Sequence, residues 1–138
     1  MLAMLGACSG SSSASAKKGE TPQQFLDKLD AAVRKGDVNT RVALLHPAVI
    51  TRYGEQQCRD FLSSPAAQDA KRRDKVQRVG KTEPFDFSTD DGGIPVPAAT
   101  LVQVKSTIQG KKSERDLHLA RVEGKYRYFI DCGTPISR

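Results

Sequence analysis

The chain has no tryptophan, only two histidines and three cysteines, and aromatic residues at 6% of its 138 positions. Each scarcity excludes something. Two histidines and three scattered cysteines offer a metal ion no ligand set of recognised spacing. No glycine-rich phosphate loop, nucleophile elbow or Cys-His pair appears, so no bound cofactor and no hydrolase are expected. The double acid of Asp90-Asp91-Gly92-Gly93 lacks the ligand spacing and closing Glu of a calcium loop and reads as a turn. No apolar run approaches the length of about eighteen residues that a membrane span needs.

Positive charge is plentiful, with a net value of +6 spread over Lys17-Lys18, Lys71-Arg72-Arg73, Lys111-Lys112 and single residues. No aromatic residue interleaves with Lys71-Arg72-Arg73 to stack bases, so nucleic acid is not an expected partner. The charge reads as a solvated surface that also tolerates an anionic lipid headgroup layer.

One short stretch organises the rest. Leu5-Gly6-Ala7-Cys8 has the order of a bacterial lipobox: an aliphatic residue, two small residues, then cysteine. Residues 1–8 are therefore expected to be a truncated signal peptide and lipobox, although the seven residues before Cys8 carry no basic n-region. On this reading Cys8 is lipidated, and its diacylglyceryl group anchors the chain to the outer face of the cell membrane. Residues 9–19, rich in Ser, Ala and Gly, cannot bury enough apolar surface to order themselves and read as a flexible tether. Setting Cys8 aside leaves Cys58 and Cys132, an even pair in an oxidising compartment, and a disulfide between them is expected.

Residues 20–138 read as one domain. Thr21-Pro22-Gln23-Gln24 is a capping box with proline at the first helical position. Phe25, Leu29 and Val33 follow at spacing four, and Gly36 is the stop. Asp37 caps a second helix with Val38, Val42 and Leu45 on its apolar face, ending at His46 before Pro47. His46 is expected to cap the last carbonyls there. Residues 48–53 read as a connector, and a third helix runs over residues 55–63 with Cys58, Phe61 and Leu62 on one side. Beyond Lys75 the period changes. Phe85 and Phe87 alternate in a short first strand. Ile94-Pro95-Val96-Pro97 can only be loop or edge, because proline donates nothing to a ladder. Residues 98–108 form the strongest strand, residues 116–122 the next, Glu123-Gly124 a hairpin turn and residues 125–131 the last strand. Helices followed by a curved antiparallel sheet make an α+β domain.

With this element order, with Leu44-Leu45-His46-Pro47 ending the second helix and Tyr126-Arg127-Tyr128-Phe129-Ile130 as an aromatic last strand, the chain resembles the NTF2-like (SnoaL-like) superfamily. The resemblance implies a cone of N-terminal helices packed on a strongly bent sheet, with a pocket inside. It implies no single function, since members include isomerases, dehydratases, transport factors and non-catalytic partner domains.

Pocket candidates are Tyr53, Asp116, His118, Tyr126 and Tyr128, with Asp131 a further carboxylate. An isomerase-like site would need one of the acids as base and a tyrosine hydroxyl to hold an oxyanion. Against that, Tyr126 and Tyr128 share a strand face with Ile130 and read as core. His118, between Leu117 and Leu119, reads as facing solvent or the pocket mouth. The expectation is a non-catalytic, lipid-anchored extracytoplasmic domain that binds a partner protein or a small apolar ligand. A small isomerase or dehydratase is the alternative.

Overall fold

A computed structural model describes residues 19–90 and 92–133. Cys8 and the lipobox, most of the tether, Asp91 and the last five residues lie outside the described residues.

Helix α1 (Pro22–Lys35) starts as its sequence dictates. The Gln24 N–H donates to Thr21 Oγ1 at 3.1 Å, and the Thr21 N–H donates to Gln24 Oε1 at 2.9 Å. Phe25, Leu26, Leu29 and Val33 turn inward and are buried. Helix α2 (Val38–Ala43) is capped by Asp37, whose carboxylate accepts the Thr40 N–H at 3.1 Å. Helix α3 (Pro47–Tyr53) replaces the expected connector. His46 caps its start rather than the end of α2. The His46 backbone is extended, Pro47 supplies the first helical φ, and His46 Nδ1 accepts the Ala48 N–H at 3.1 Å. Helix α4 (Glu55–Ser63) follows directly after Gly54 and buries Cys58 and Leu62.

Four antiparallel strands then pair in chain order: β1 (Arg73–Thr89), β2 (Gly92–Ile108), β3 (Lys111–Val122) and β4 (Lys125–Arg127). The helices pack before a sheet curled into a half-barrel, an α+β arrangement. Three register shifts bend the β1–β2 ladder, between Val76 and Arg78, Val79 and Thr82, and Glu83 and Phe85. Strand β1 is far longer than the short strand expected. Residues 77–84 are exposed throughout, so no buried face imprints a period of two on them. Charges at Arg78, Lys81 and Glu83 protect this edge from pairing with other chains. Pro95 and Pro97 lie within β2, where it pairs with β1 alone, while Ile94 and Val96 turn inward. This is the edge position that proline tolerates.

Gln109-Gly110 and Glu123-Gly124 make two-residue hairpin turns, with all four residues at positive φ. Strand β4 is shorter than expected. After three residues the chain leaves β3, and Tyr128 pairs in parallel with Leu45. The His46 N–H donates to the Tyr128 carbonyl at 2.9 Å and the Tyr128 N–H to the Leu44 carbonyl at 3.1 Å. The helical layer is thereby stitched to the end of the sheet.

The main core joins Phe25, Leu26, Leu29 and Val33 to Val102, Val104, Leu119 and Tyr126. A second cluster under α3 and α4 holds Val49, Leu62, Ile94, Cys58 and Cys132. There the two sulfurs stand 2.04 Å apart, at disulfide distance, with Cα atoms 5.1 Å apart. Among the described residues no helix is long and apolar enough to cross a membrane.

Candidate functional site

A cavity of about 260 Å³ opens between α1 and the concave face of the sheet. Its apolar wall comes from Leu26, Leu29 and Val33 of α1, Leu117 and Leu119 of β3, and Phe85 and Phe129. The register explains the composition. Spacings of three and four on α1 put its stripe against the sheet. Residues 117 and 119 share a face of β3 that points into the curl.

Of the expected pocket residues, Asp116, His118 and Tyr128 line this cavity. His118 lies flat on Phe85, with ring centroids 3.7 Å apart and planes 9° from parallel. Burial holds its pKa below the ordinary value, outweighing the opposite pull of Asp116 and Glu83. His118 is therefore neutral at pH 7 and forms an aromatic wall. Asp116 is exposed at the rim. The Tyr128 O–H donates to the Arg41 carbonyl at 3.1 Å, and burial pushes its pKa up to about 12.

The other candidates lie elsewhere. Tyr126 is buried edge-on against Phe25, with the Arg121 guanidinium 4.2 Å from its ring centre and donating to its hydroxyl at 3.1 Å. Tyr53 packs against the Cys58–Cys132 cluster. Asp131 accepts the Gly133 N–H at 2.9 Å and the Asp90 N–H at 3.2 Å near the β1–β2 turn.

The residues that sequence reasoning missed are charged. Arg41, Arg72 and Arg115 all line the cavity, brought from α2, from the segment before β1 and from β3. Behind two of them stands a buried acid pair. Asp30 Oδ2 accepts the Asp74 N–H at 2.7 Å. Asp74 accepts from Arg72 Nε at 3.1 Å, from Arg115 Nη2 at 3.2 Å and from the Ser106 hydroxyl. Burial and the neighbouring Asp74 carboxylate push Asp30 up to about 8. Burial alone would raise Asp74 too, but the hydrogen bonds from Asp30 and Ser106 and the charges of Arg72 and Arg115 bring it down to about 2. At neutral pH Asp30 is the acid and Asp74 the carboxylate. One signal in the sequence pointed here: Asp30 stands four residues after Leu26 and three before Val33, inside the apolar stripe. The side chains of Asp30 and Asp74 are 4% and 0% exposed, and both sit at the base of a second groove.

On the far side of this pair is a wider groove of about 900 Å³ along α1 and β1. Two of its polar side chains fasten α1 to the chain beside it. Gln23 accepts the Val76 N–H at 2.8 Å and donates to the Asp74 carbonyl at 3.1 Å, and Arg34 donates to the Arg72 carbonyl at 2.8 Å. The groove continues past this seam to Lys105, Ser106 and Thr107 of β2 and to Lys112 and Glu114 of β3. Among the described residues no group of three His, Cys, Asp or Glu is placed to hold a metal ion.

No protein-family model matches the chain. No curated protein and no solved structure matches it either. What the protein does must therefore be argued from the cavity itself.

Proposed function

We propose that this is a non-catalytic ligand-binding domain of the NTF2-like type, held by a lipidated Cys8 at the extracytoplasmic face of the cell membrane. The observation that carries the ligand reading is the cavity between α1 and the curled sheet. Most of its lining residues are aliphatic or aromatic, and Arg41, Arg72, Arg115 and Asp116 are the charged ones. That is the make-up of a binding site for a small, largely apolar molecule. The lipid anchor rests on the lipobox order, on the tether behind it, and on the pairing of the two remaining cysteines. The isomerase or dehydratase reading has less support. Its acid–base candidates are an exposed Asp116, a His118 whose ring is stacked on Phe85, and a buried acid pair engaged with Arg72 and Arg115.

Two measurements test the proposal. In cells carrying the full upstream reading frame, the protein should fractionate with membranes, and Cys8→Ser should release it. Native mass spectrometry of the membrane-extracted protein should find a co-purifying small molecule, lost when Leu29→Phe fills the cavity. A soluble wild-type protein would remove the anchor. A ligand retained by Leu29→Phe would remove the cavity as its site.

A further inference from the structure

We infer that the cavity selects an anionic ligand: a small carboxylate whose carboxyl group pairs with Arg41 and whose apolar part lies against Leu29, Leu119 and Phe85. This rests on the ligand-binding reading above and adds to it the chemical class of the ligand.

Arg41 carries the argument. It is only 7% exposed, and its guanidinium hydrogen-bonds to the carbonyls of Ala67, at 2.9 Å, and Leu62, at 3.5 Å, with the Tyr128 hydroxyl beside it, and to no carboxylate. Its Nε–H is buried with no partner. A buried charge is ordinarily paired with an opposite one, because the cost of leaving water is otherwise uncompensated. The carbonyl bonds use Nη1. That leaves the Nε edge, the side of a guanidinium that forms a two-pronged bond with a carboxylate. Arg41 lines the cavity, so an anion entering it meets a buried cation that no carboxylate neutralises.

The surrounding charges point the same way. Arg72 and Arg115 line the same cavity; Arg115 pairs with Asp74 at 3.2 Å, and Arg72 with Asp74 at 3.1 Å and Asp30 at 3.8 Å. Asp30 is held as a neutral acid at pH 7 and adds no negative charge to the group. Three guanidinium cations thus face two buried acids, Asp30 and Asp74, of which Asp74 is the stronger. Asp116, the other acid at the cavity, is exposed at its rim rather than beside Arg41. Size narrows the class further. The cavity measures about 260 Å³. It suits a medium-chain or single-ring carboxylate rather than a long-chain lipid.

The test compares octanoate with octan-1-ol, which share an alkyl chain and differ in charge. Amide NMR titrations of the full chain at fixed ionic strength would give both affinities and the residues that respond. Octanoate should bind at least about tenfold more tightly, the fold-change carried by one charge-assisted hydrogen bond. The shifts should centre on Arg41, Leu29 and Leu119. Arg41→Gln should reduce the preference towards unity while leaving octanol binding in place. Should that variant fail to fold, the wild-type ratio alone decides. Equal or tighter binding of octanol within the cavity would overturn the anionic class and leave the ligand-binding reading standing. If neither compound moved cavity residues, or octanoate moved only surface lysines, both readings would fall.

Discussion

Asp30 Oδ2 accepts the backbone N–H of Asp74 at 2.7 Å, so a buried acid joins α1 to the start of β1. Because the native state raises Asp30 from 3.8 to about 8, it holds a proton that the unfolded chain has already released. Stability from this group is complete below about pH 4 and is lost as pH rises towards 8. Asp74, lowered to about 2, contributes in the opposite sense: its share is full above 3.8 and is lost as pH falls below that. Asp30→Asn should keep the geometry of the protonated acid without titrating. Between pH 5 and pH 8, wild type should lose at least about 1 kcal/mol relative to this variant. His46 and His118, both with lowered pKa values, add an opposing slope common to the two proteins, so the difference isolates Asp30. Urea unfolding at the two pH values measures it. Parallel pH profiles would show that Asp30 is ionised in the native state.

Tyr128→Phe removes the hydroxyl that donates to the Arg41 carbonyl but keeps the ring beside Phe25. A loss of about 1 kcal/mol is expected, the ordinary net value of one hydrogen bond. Because the ring remains, octanol affinity should stay within about twofold of wild type. A far larger loss of stability would mean that Tyr128 fixes the placement of α2 rather than contributing one bond.

Leu119 is both core and cavity wall, 1% exposed and packed in the cluster that holds Phe25 and Val102. Leu119→Ala should cost about 2–5 kcal/mol, from lost transfer energy plus the void it leaves. The same void enlarges the cavity, so the variant should favour decanoate over octanoate more strongly than wild type does. Denaturation and the NMR titration together check this. An unchanged chain-length preference would place the alkyl tail away from β3.

Much of this fold was legible because the signals are local. The capping box at Thr21, the 25–29–33 stripe and the Glu123-Gly124 turn each lie within a few residues, and each appears where the pattern put it. What stayed hidden depends on distance or exposure. Strand β1 shows no alternation because its middle buries neither face. Helix α3 was masked by the rule that proline ends helices, although Pro47 with an extended His46 starts one. For the site, the sequence marked Asp116, His118 and Tyr128, which do share a cavity. It could not bring Arg41, Arg72 and Arg115 together, because only the curl of the sheet against α1 and α2 does so.

The last prediction concerns Cys58 and Cys132, at disulfide distance and 74 residues apart in the chain. The bond ties α4 to the segment that leaves the sheet after β4. Both cysteines are nearly inaccessible, and the Cys132 carbonyl accepts from Gln57 at 3.2 Å, so the segment is held at two points. In the chain-entropy account, a crosslink closing a loop of this length stabilises the fold by about 4 kcal/mol, by restricting the unfolded ensemble. That is a large share of the roughly 5–15 kcal/mol that holds a domain together. The Cys58→Ser/Cys132→Ser variant should therefore unfold at markedly lower urea, with most of the change in midpoint rather than slope. Wild type treated with reductant should move towards the same midpoint, slowly, because the sulfurs must be exposed before exchange can begin. Thiol titration of the denatured, unreduced mature protein should find neither Cys58 nor Cys132 free. Two titratable thiols, or a double variant as stable as its parent, would show that burial of the two side chains, not the crosslink, stabilises this end of the domain.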